Sequence, residues 1–458
     1  MTTETPLQFL IDRLAEAPER VAFADRGRPY TYGTLLADVA AADAALGRRG
    51  IGPGDCVVLV GDYSPGIVGL LLALARRGCV VAPLTPASVI EREAVVRLSE
   101  ASWVIAFGGS LADATFEPTG RRAEHPLLRG LAARGAPGLL LFSSGSTGAP
   151  KAILHDLARV AEKFRRRPPP MVAIAFLMLD HFGGVNTILS IASGLGTVVT
   201  VADRSVETVC RAIEAHRVEV LPATPSFLNL LVRAGAERAH DLGSLRRITY
   251  GTEVMPQATL DRLRALFPSL TLQQTYGLSE VGVLRSRSRE DGSLFMRLGG
   301  DGFELQVRDG RLWIRSAYAM EGYLNAPSPF DAEGFFDTQD RVEQDGEWLR
   351  VLGRVTDLIN VAGQKVYPAE VEEIILDLDN VADVAVHGER NALLGQVVVA
   401  RVATRDPEPL AALRARVRAA CAARLAPFKV PQKVLLAPPG ELVSTRLKKR
   451  RGPAAKEA

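Results

Sequence analysis

The chain has 458 residues, 47% hydrophobic and 23% charged, with a formal net charge of +3. This suits a soluble protein with room for two or three domains and argues for neither nucleic acid nor membrane as a partner. Cys56, Cys79, Cys210 and Cys421 stand far apart with no C-x-x-C pair, so no disulfide frame or zinc site is expected and a reducing cytoplasm fits.

The start, MTTETPLQFLIDRLAEAP, is acidic and amphipathic and lacks the charged and apolar regions of a signal peptide. Gly, Pro or charge interrupts every apolar run before it reaches membrane-spanning length. From Asp55 the pattern predicts a strand (CVVLV), a helix over Ile67 to Arg77, a strand over Cys79 to Pro83, a helix over Ile90 to Ser99 and a strand over Trp103 to Phe107. Such βαβ punctuation implies parallel strands with helical crossovers. Leu139 to Phe142 is an unbroken apolar run, as expected of a parallel strand covered on both faces. Arg165, Arg166 and Arg167 precede three prolines without interleaved aromatics and read as a solvated loop. Alternation resumes with strands at 172–178, 196–201, 218–221, 246–250 and 270–274. Helices are expected near 184–194, 205–216, 225–234 and 256–267.

The expected fold is therefore α/β: two doubly wound lobes in a large N-terminal domain, with ligands at the carboxyl ends of the strands. Residues 294–350 turn to short alternating pieces around RDGR and EQDGEW, which predicts a small antiparallel sheet or β-barrel. Beyond Arg354 a smaller α+β C-terminal module is expected. Its strands fall near 381–387, 396–403 and 432–436, and its helix carries Leu410, Leu413, Val417, Cys421 and Leu425 before Pro427.

The chemically distinctive stretch is LLLFSSGSTGAPKAILHD, Leu139 to Asp156. Gly145 and Gly148 permit positive φ and close approach, while Ser143, Ser144, Ser146 and Thr147 add hydroxyl donors to backbone N–H groups. Pro150 stiffens the backbone before Lys151, which supplies a point charge. The G-x-x-x-x-G-K-[ST] pattern does not fit, because proline precedes the lysine and Ala152 follows it, so a Walker-type NTPase is disfavoured.

SSGSTGAPKA resembles the phosphate loop of the adenylate-forming superfamily, which comprises acyl- and aryl-CoA ligases, peptide-synthetase adenylation domains and luciferases; the similarity extends from Tyr30 to Arg451. The resemblance implies that Tyr276 stacks on adenine, Ser279 touches the α-phosphate and Glu280 binds Mg²⁺ within YGLSE, with Gln274, Thr275 and Gly277 alongside. It places Gly251, Thr252 and Glu253 beneath the adenine, and Asp340 and Arg354 on the ribose. Gln339 stands where relatives have glycine. GRVTDLINVAGQK resembles the interdomain hinge, so the large domain would span 1–355 and a mobile small domain 356–458, pivoting near Thr356, with Gly363 lining a pantetheine tunnel.

Lys448 in STRLKKRR corresponds to the catalytic lysine that bridges carboxylate and α-phosphate, although Arg446 and Leu447 replace the usual Ser-Gly and the adjacent Lys449 is an alternative register. His181 and Phe182 in LMLDHFGG match the flank of the acyl pocket; His181 equally suits a histidine packed at a strand end. Asp180 beside it leaves an amino-acid substrate as a minority reading.

The resulting expectation is an AMP-forming acid–thiol ligase. It would use ATP and Mg²⁺ to make an acyl- or aryl-adenylate, release pyrophosphate, and pass the acyl group to CoA or a carrier protein's phosphopantetheine. Transfer to an amine or another non-thiol nucleophile is the alternative, and a nucleotide-binding protein without turnover the third. Such chemistry needs mainly positioning and charge neutralisation.

Overall fold

The computed structural model describes residues 5–144, 150–290, 292–438, 440–443 and 449–450. The expectations for Gly145, Ser146, Thr147, Gly148 and Lys448, and for Arg446 and Leu447, lie outside the described residues, as does the side chain of Ser144.

Among the described residues the first lobe is a seven-stranded sheet in the order Gly322–Tyr323, Pro150–Asp156, Gly138–Ser144, Val80–Leu84, Cys56–Val60, Trp103–Ala106, Thr115–Pro118. Its central pairs are parallel and its outer pairs antiparallel. Period-2 alternation sends successive side chains to opposite faces. Val57, Leu59, Val81, Leu139 and Leu141 enter the core shared with the second lobe. Val58, Val80, Ala82, Leu140 and Phe142 pack beneath a separate set of helices. Both faces are thus covered, which is why these strands read as continuous apolar runs.

The helix Pro65–Arg76 lies between the sheets and is apolar nearly all round. Ser64 caps it by accepting from the Ile67 N–H at 3.3 Å, and proline occupies its first position. Leu70, Leu71, Leu72 and Leu74 are at most 2% exposed, each contributing roughly 1.5–3 kcal/mol of burial.

The second lobe runs Thr271–Gln274, Arg247–Tyr250, Val220–Ala223, Val172–Ile174, Thr197–Val199, Val21–Asp25, Arg28–Thr31. The expected strand at 172–178 ends at Ile174. The N-terminal strand Val21–Asp25, for which no strand was predicted, completes this lobe by pairing in parallel with Thr197–Val199 (Phe23 opposite Val198). A partner so distant in sequence leaves no local signature. A six-stranded antiparallel sheet between Arg285 and Arg354 is the unit expected there.

The C-terminal strands form their own sheet, with helices Pro368–Leu376 and Leu410–Arg424 packed on it. Leu413, Val417 and Cys421 of the predicted helical stripe are buried in its core, Leu425 packs at its margin and Leu410 is half-buried. All four cysteines are buried, and burial pushes their thiols up to about 11 or 12. They are inert core residues. No helix among the described residues is long and apolar enough to cross a membrane.

Candidate active site

Gly138–Ser144 and Pro150–Asp156 form a hairpin whose register sets Ser143 opposite Lys151. The return strand is clamped by Asn325, whose Oδ1 accepts from the Ala152 N–H at 2.9 Å and whose Nδ2 donates to the Pro150 carbonyl at 2.8 Å. The adjoining strand Gly322–Tyr323 brings Tyr323 between two charged groups. The Lys151 ammonium lies 4.8 Å from its ring centroid, and its hydroxyl donates to Glu280 Oε1 at 2.9 Å. Burial and the Glu280 carboxylate push the Tyr323 phenol up, so it remains a donor. The second oxygen of Glu280 takes no hydrogen bond among the described residues.

Ser279 and Glu280 cap a tight hairpin, Gly277–Leu278 against Gly282–Val283. A Cβ at Gly277 would stand 2.8 Å from the Gly282 carbonyl, so only glycine permits this crossing. The Glu280 carbonyl accepts from the Met320 N–H at 2.9 Å, and the Ser279 carbonyl from His155 Nε2 at 2.6 Å.

Tyr276 donates to Asp340 Oδ2 at 2.6 Å, and Arg354 Nε donates to Asp340 Oδ1 at 3.3 Å. Strand register sets Asp340 directly opposite Arg354. Burial raises the Asp340 carboxyl, an effect that Arg354 and the Tyr276 hydrogen bond offset only in part. Burial and Asp340 together push the Tyr276 phenol well up. Gln339 adopts φ +61°, the left-handed conformation that suits glycine. Asp337 Oδ1 accepts from the Gln339 N–H at 3.0 Å and Thr338 Oγ1 accepts from the Asp340 N–H at 3.1 Å, so side chains stabilise the turn.

Gly251 follows strand Arg247–Tyr250. A Cβ there would lie 2.6 Å from both the Thr275 carbonyl and Oγ1, so the protein's own backbone already demands glycine, whatever ligand sits nearby. Thr252 has φ +70°, and the Gln274 side chain is buried. Glu253 points away to a second cluster: its Oε2 accepts from the Ser226 N–H at 3.2 Å and hydroxyl at 2.7 Å, and its Oε1 from the Lys449 N–H at 2.5 Å.

His181 is the N-cap residue of Phe182–Ser193 but supplies no side-chain cap. Asp180 is buried and accepts from Thr85 Oγ1 at 3.1 Å. Phe182 reaches the YGLSE hairpin, packing on His155 and beside Gly282.

Thr356 sits exposed in the single turn Val355–Asp357. Gly363, at φ +85°, caps the Ile359–Val361 and Gln364–Val366 hairpin with nothing within 4 Å of an added Cβ. The structure therefore leaves Gly363 in the open, apart from the other predicted site residues. The Lys449 side chain is 8% exposed, its ammonium 3.5 Å from Asp383 and 3.8 Å from Glu372. These groups, with Glu253, Ser226 and Tyr367, line a cavity of about 320 Å³ at the seam between the second lobe and the C-terminal unit. Among the described residues no cluster of three or more His, Cys, Asp or Glu suits a metal.

Sequence reasoning missed Tyr323, Asn325, His155, Glu372 and Asp383. His155 stands within the quoted loop stretch, but nothing local marks the others.

Residues 10–324 match the model of the AMP-binding enzyme family and residues 370–449 that of the AMP-binding enzyme C-terminal domain. The chain is 27% identical to an indoleacetate–CoA ligase of Aromatoleum aromaticum, covering 93% of both chains. Its fold is similar to an anthranilate CoA ligase solved with anthranoyl-AMP (TM-score 0.81, 19% identity, 96% of this chain and 95% of that one). It is also similar to an amide bond synthetase from Marinactinospora thermotolerans (TM-score 0.78, 23% identity, 97% and 98%). The chain belongs to the AMP-binding enzyme family of the adenylate-forming superfamily, and is an acyl/aryl-CoA-ligase-like enzyme.

Proposed function

We propose that the protein activates a carboxylic acid with ATP and transfers the acyl group to a thiol, either CoA or a carrier protein's phosphopantetheine. The observation that carries this reading is the convergence of two sets beside one hairpin: Tyr276, Asp340 and Arg354, joined by hydrogen bonds, and Glu280, hydrogen-bonded to Tyr323, over whose ring the Lys151 ammonium lies. An acid oxygen forms a bond to the α-phosphorus, the bond to the bridging oxygen breaks, and pyrophosphate leaves. The thiol sulfur then bonds the acyl carbon, AMP departs, and the thiol proton passes to solvent.

Asp340 and Arg354 suit the ribose hydroxyls, one as acceptor and one as donor. The backbone at Gly251, Thr252, Gln274 and Thr275 suits adenine, and Ser143 to Gly148 with Lys151 the phosphates. Glu280 would hold Mg²⁺, because its carboxylate is a hard oxygen donor with one oxygen left free by Tyr323. Mg²⁺ bound there supplies charge neutralisation at the phosphates. Lys448 is assigned to the carboxylate and α-phosphate, His181 and Phe182 to the flank of the acid pocket, Thr356 to the pivot and Gly363 to the thiol's path. Domains 1–355 and 356–458 would alternate between the two half-reactions.

The test is exchange of labelled pyrophosphate into ATP across aryl, short-chain, long-chain and amino acids, followed by capture with CoA, holo-carrier or hydroxylamine. Acid-dependent exchange and thioester formation are expected. Capture by hydroxylamine and by neither thiol would replace the thiol with a non-thiol acceptor such as an amine, and failure of every acid to support exchange would leave nucleotide binding without turnover.

A further inference from the structure

His155 lies on the return strand Pro150–Asp156, four residues after Lys151 and on the same face as Lys151 and Ile153. It is fully buried, a site where an imidazole is costly unless its nitrogens are used. Its Nδ1 has no hydrogen-bond partner among the described residues. Its Nε2 stands 2.6 Å from the Ser279 carbonyl, which can only accept, so Nε2 carries the proton. One ring face meets Phe182, with centroids 5.0 Å apart at 54°. Phe182 in turn lies 3.5 Å from where a Cβ on Gly282 would be, just past the same turn. Burial pushes the imidazole down to about 4, so the neutral donor form persists at neutral pH.

We infer that His155 is a positioning residue for acid activation, holding the Ser279–Glu280 turn in place and wedging it against the acid-side segment through Phe182. An unsatisfied buried nitrogen kept beside one short bond is explained if that bond orients something worth orienting. The residue after the bonded carbonyl is Glu280, whose carboxylate already has a fixed partner in Tyr323. Partners that orient a metal-binding side chain set affinity without touching the ion. The inference rests on the assignment of Glu280 to Mg²⁺.

The test is calorimetric titration of the full-length protein with ATP, with Mg²⁺ and with EDTA, which needs no identified acid. In wild type, Mg²⁺ is expected to tighten ATP binding, and Glu280→Ala to abolish that gain. His155→Leu should reduce the gain by about tenfold, the scale of one buried hydrogen bond, and His155→Gln, whose amide can donate to the same carbonyl, should restore most of it. An undiminished gain in His155→Leu, or an equal loss in both variants, overturns the role of His155. If His155→Leu does not fold, a His155→Gln gain equal to that of Glu280→Ala overturns it as well. Absence of any Mg²⁺ gain in wild type overturns the Glu280 assignment instead.

Discussion

Tyr276, Asp340 and Arg354 meet where one antiparallel sheet adjoins one hairpin, whereas Lys449, Glu372, Asp383 and Glu253 meet at the seam between the second lobe and the C-terminal unit. In the cleft a charge is offset by a neighbour that strand register delivers, Asp340 opposite Arg354. At the seam the two carboxylates are held by backbone first: Glu372 Oε1 accepts from the Val386 N–H at 2.9 Å and Asp383 Oδ1 from the Val384 N–H at 2.8 Å. Two carboxylates near one buried point disfavour each other's charged forms, and a cation beside both offsets that repulsion. Lys449 supplies it, and its backbone N–H reaches Glu253. Arg233 donates to the Leu376 carbonyl at 3.1 Å and to the Val381 carbonyl, and ties the same seam. The cleft is thus arranged for a ligand to complete, and the seam is already complete.

The adjacent lysines test that contrast, because the proposed function assigns Lys448 to acid activation. Lys448→Ala should slow acyl-adenylate formation by roughly 10²–10³, the scale of one charge-stabilising contact, while transfer from a supplied acyl-adenylate continues. Equal loss in both steps would make the residue structural.

Lys449→Met should act on stability. It leaves two buried carboxylates without their cation, at a cost of about 3 kcal/mol, read as a lower denaturant midpoint. Neutralising the acids in the same chain, with Glu372→Gln and Asp383→Asn, should recover most of that loss. If Lys449→Met folded normally and instead lost adenylation by the larger factor, the two lysines would exchange roles.

Acid probes the cleft. His155 has a folded-state value of about 4 against an ordinary 6.5, so the unfolded chain binds the extra proton first. The stability from keeping His155 neutral is complete above pH 6.5 and is lost as pH falls from 6.5 toward 4. The loss is on the order of 1–3 kcal/mol, and His155→Gln should flatten this part of the profile. Parallel curves for the two proteins would show that the imidazole is not held neutral.

The smallest effect belongs to Gln339, whose φ of +61° a glycine adopts without strain. Gln339→Gly should change stability by no more than about 1 kcal/mol in either direction, since relief of strain opposes the entropy of a freer unfolded chain. A larger loss, measured by thermal unfolding, would mean that the glutamine side chain itself supports the Asp340 turn.

The sequence by itself determined the layers and the alternation, because each depends on patterns within a few residues, while the site residues were named through motif resemblance. Apolar runs of strand length mark covered strands, whereas Gly251, which the resemblance placed beneath adenine, turned out to be demanded by the Thr275 backbone. Tertiary structure alone decided which distant groups complete those patterns. Val21–Asp25 closes the second lobe through a partner near residue 198, Tyr323 enters between Lys151 and Glu280 from a strand far along the chain, and His155 finds a carbonyl at 279. It also decided the use of Lys449, which sits in the basic run STRLKKRR with its side chain 8% exposed beside two acids. Composition reports that a charge is present, but whether water or a carboxylate surrounds it is set by packing between segments far apart in the chain.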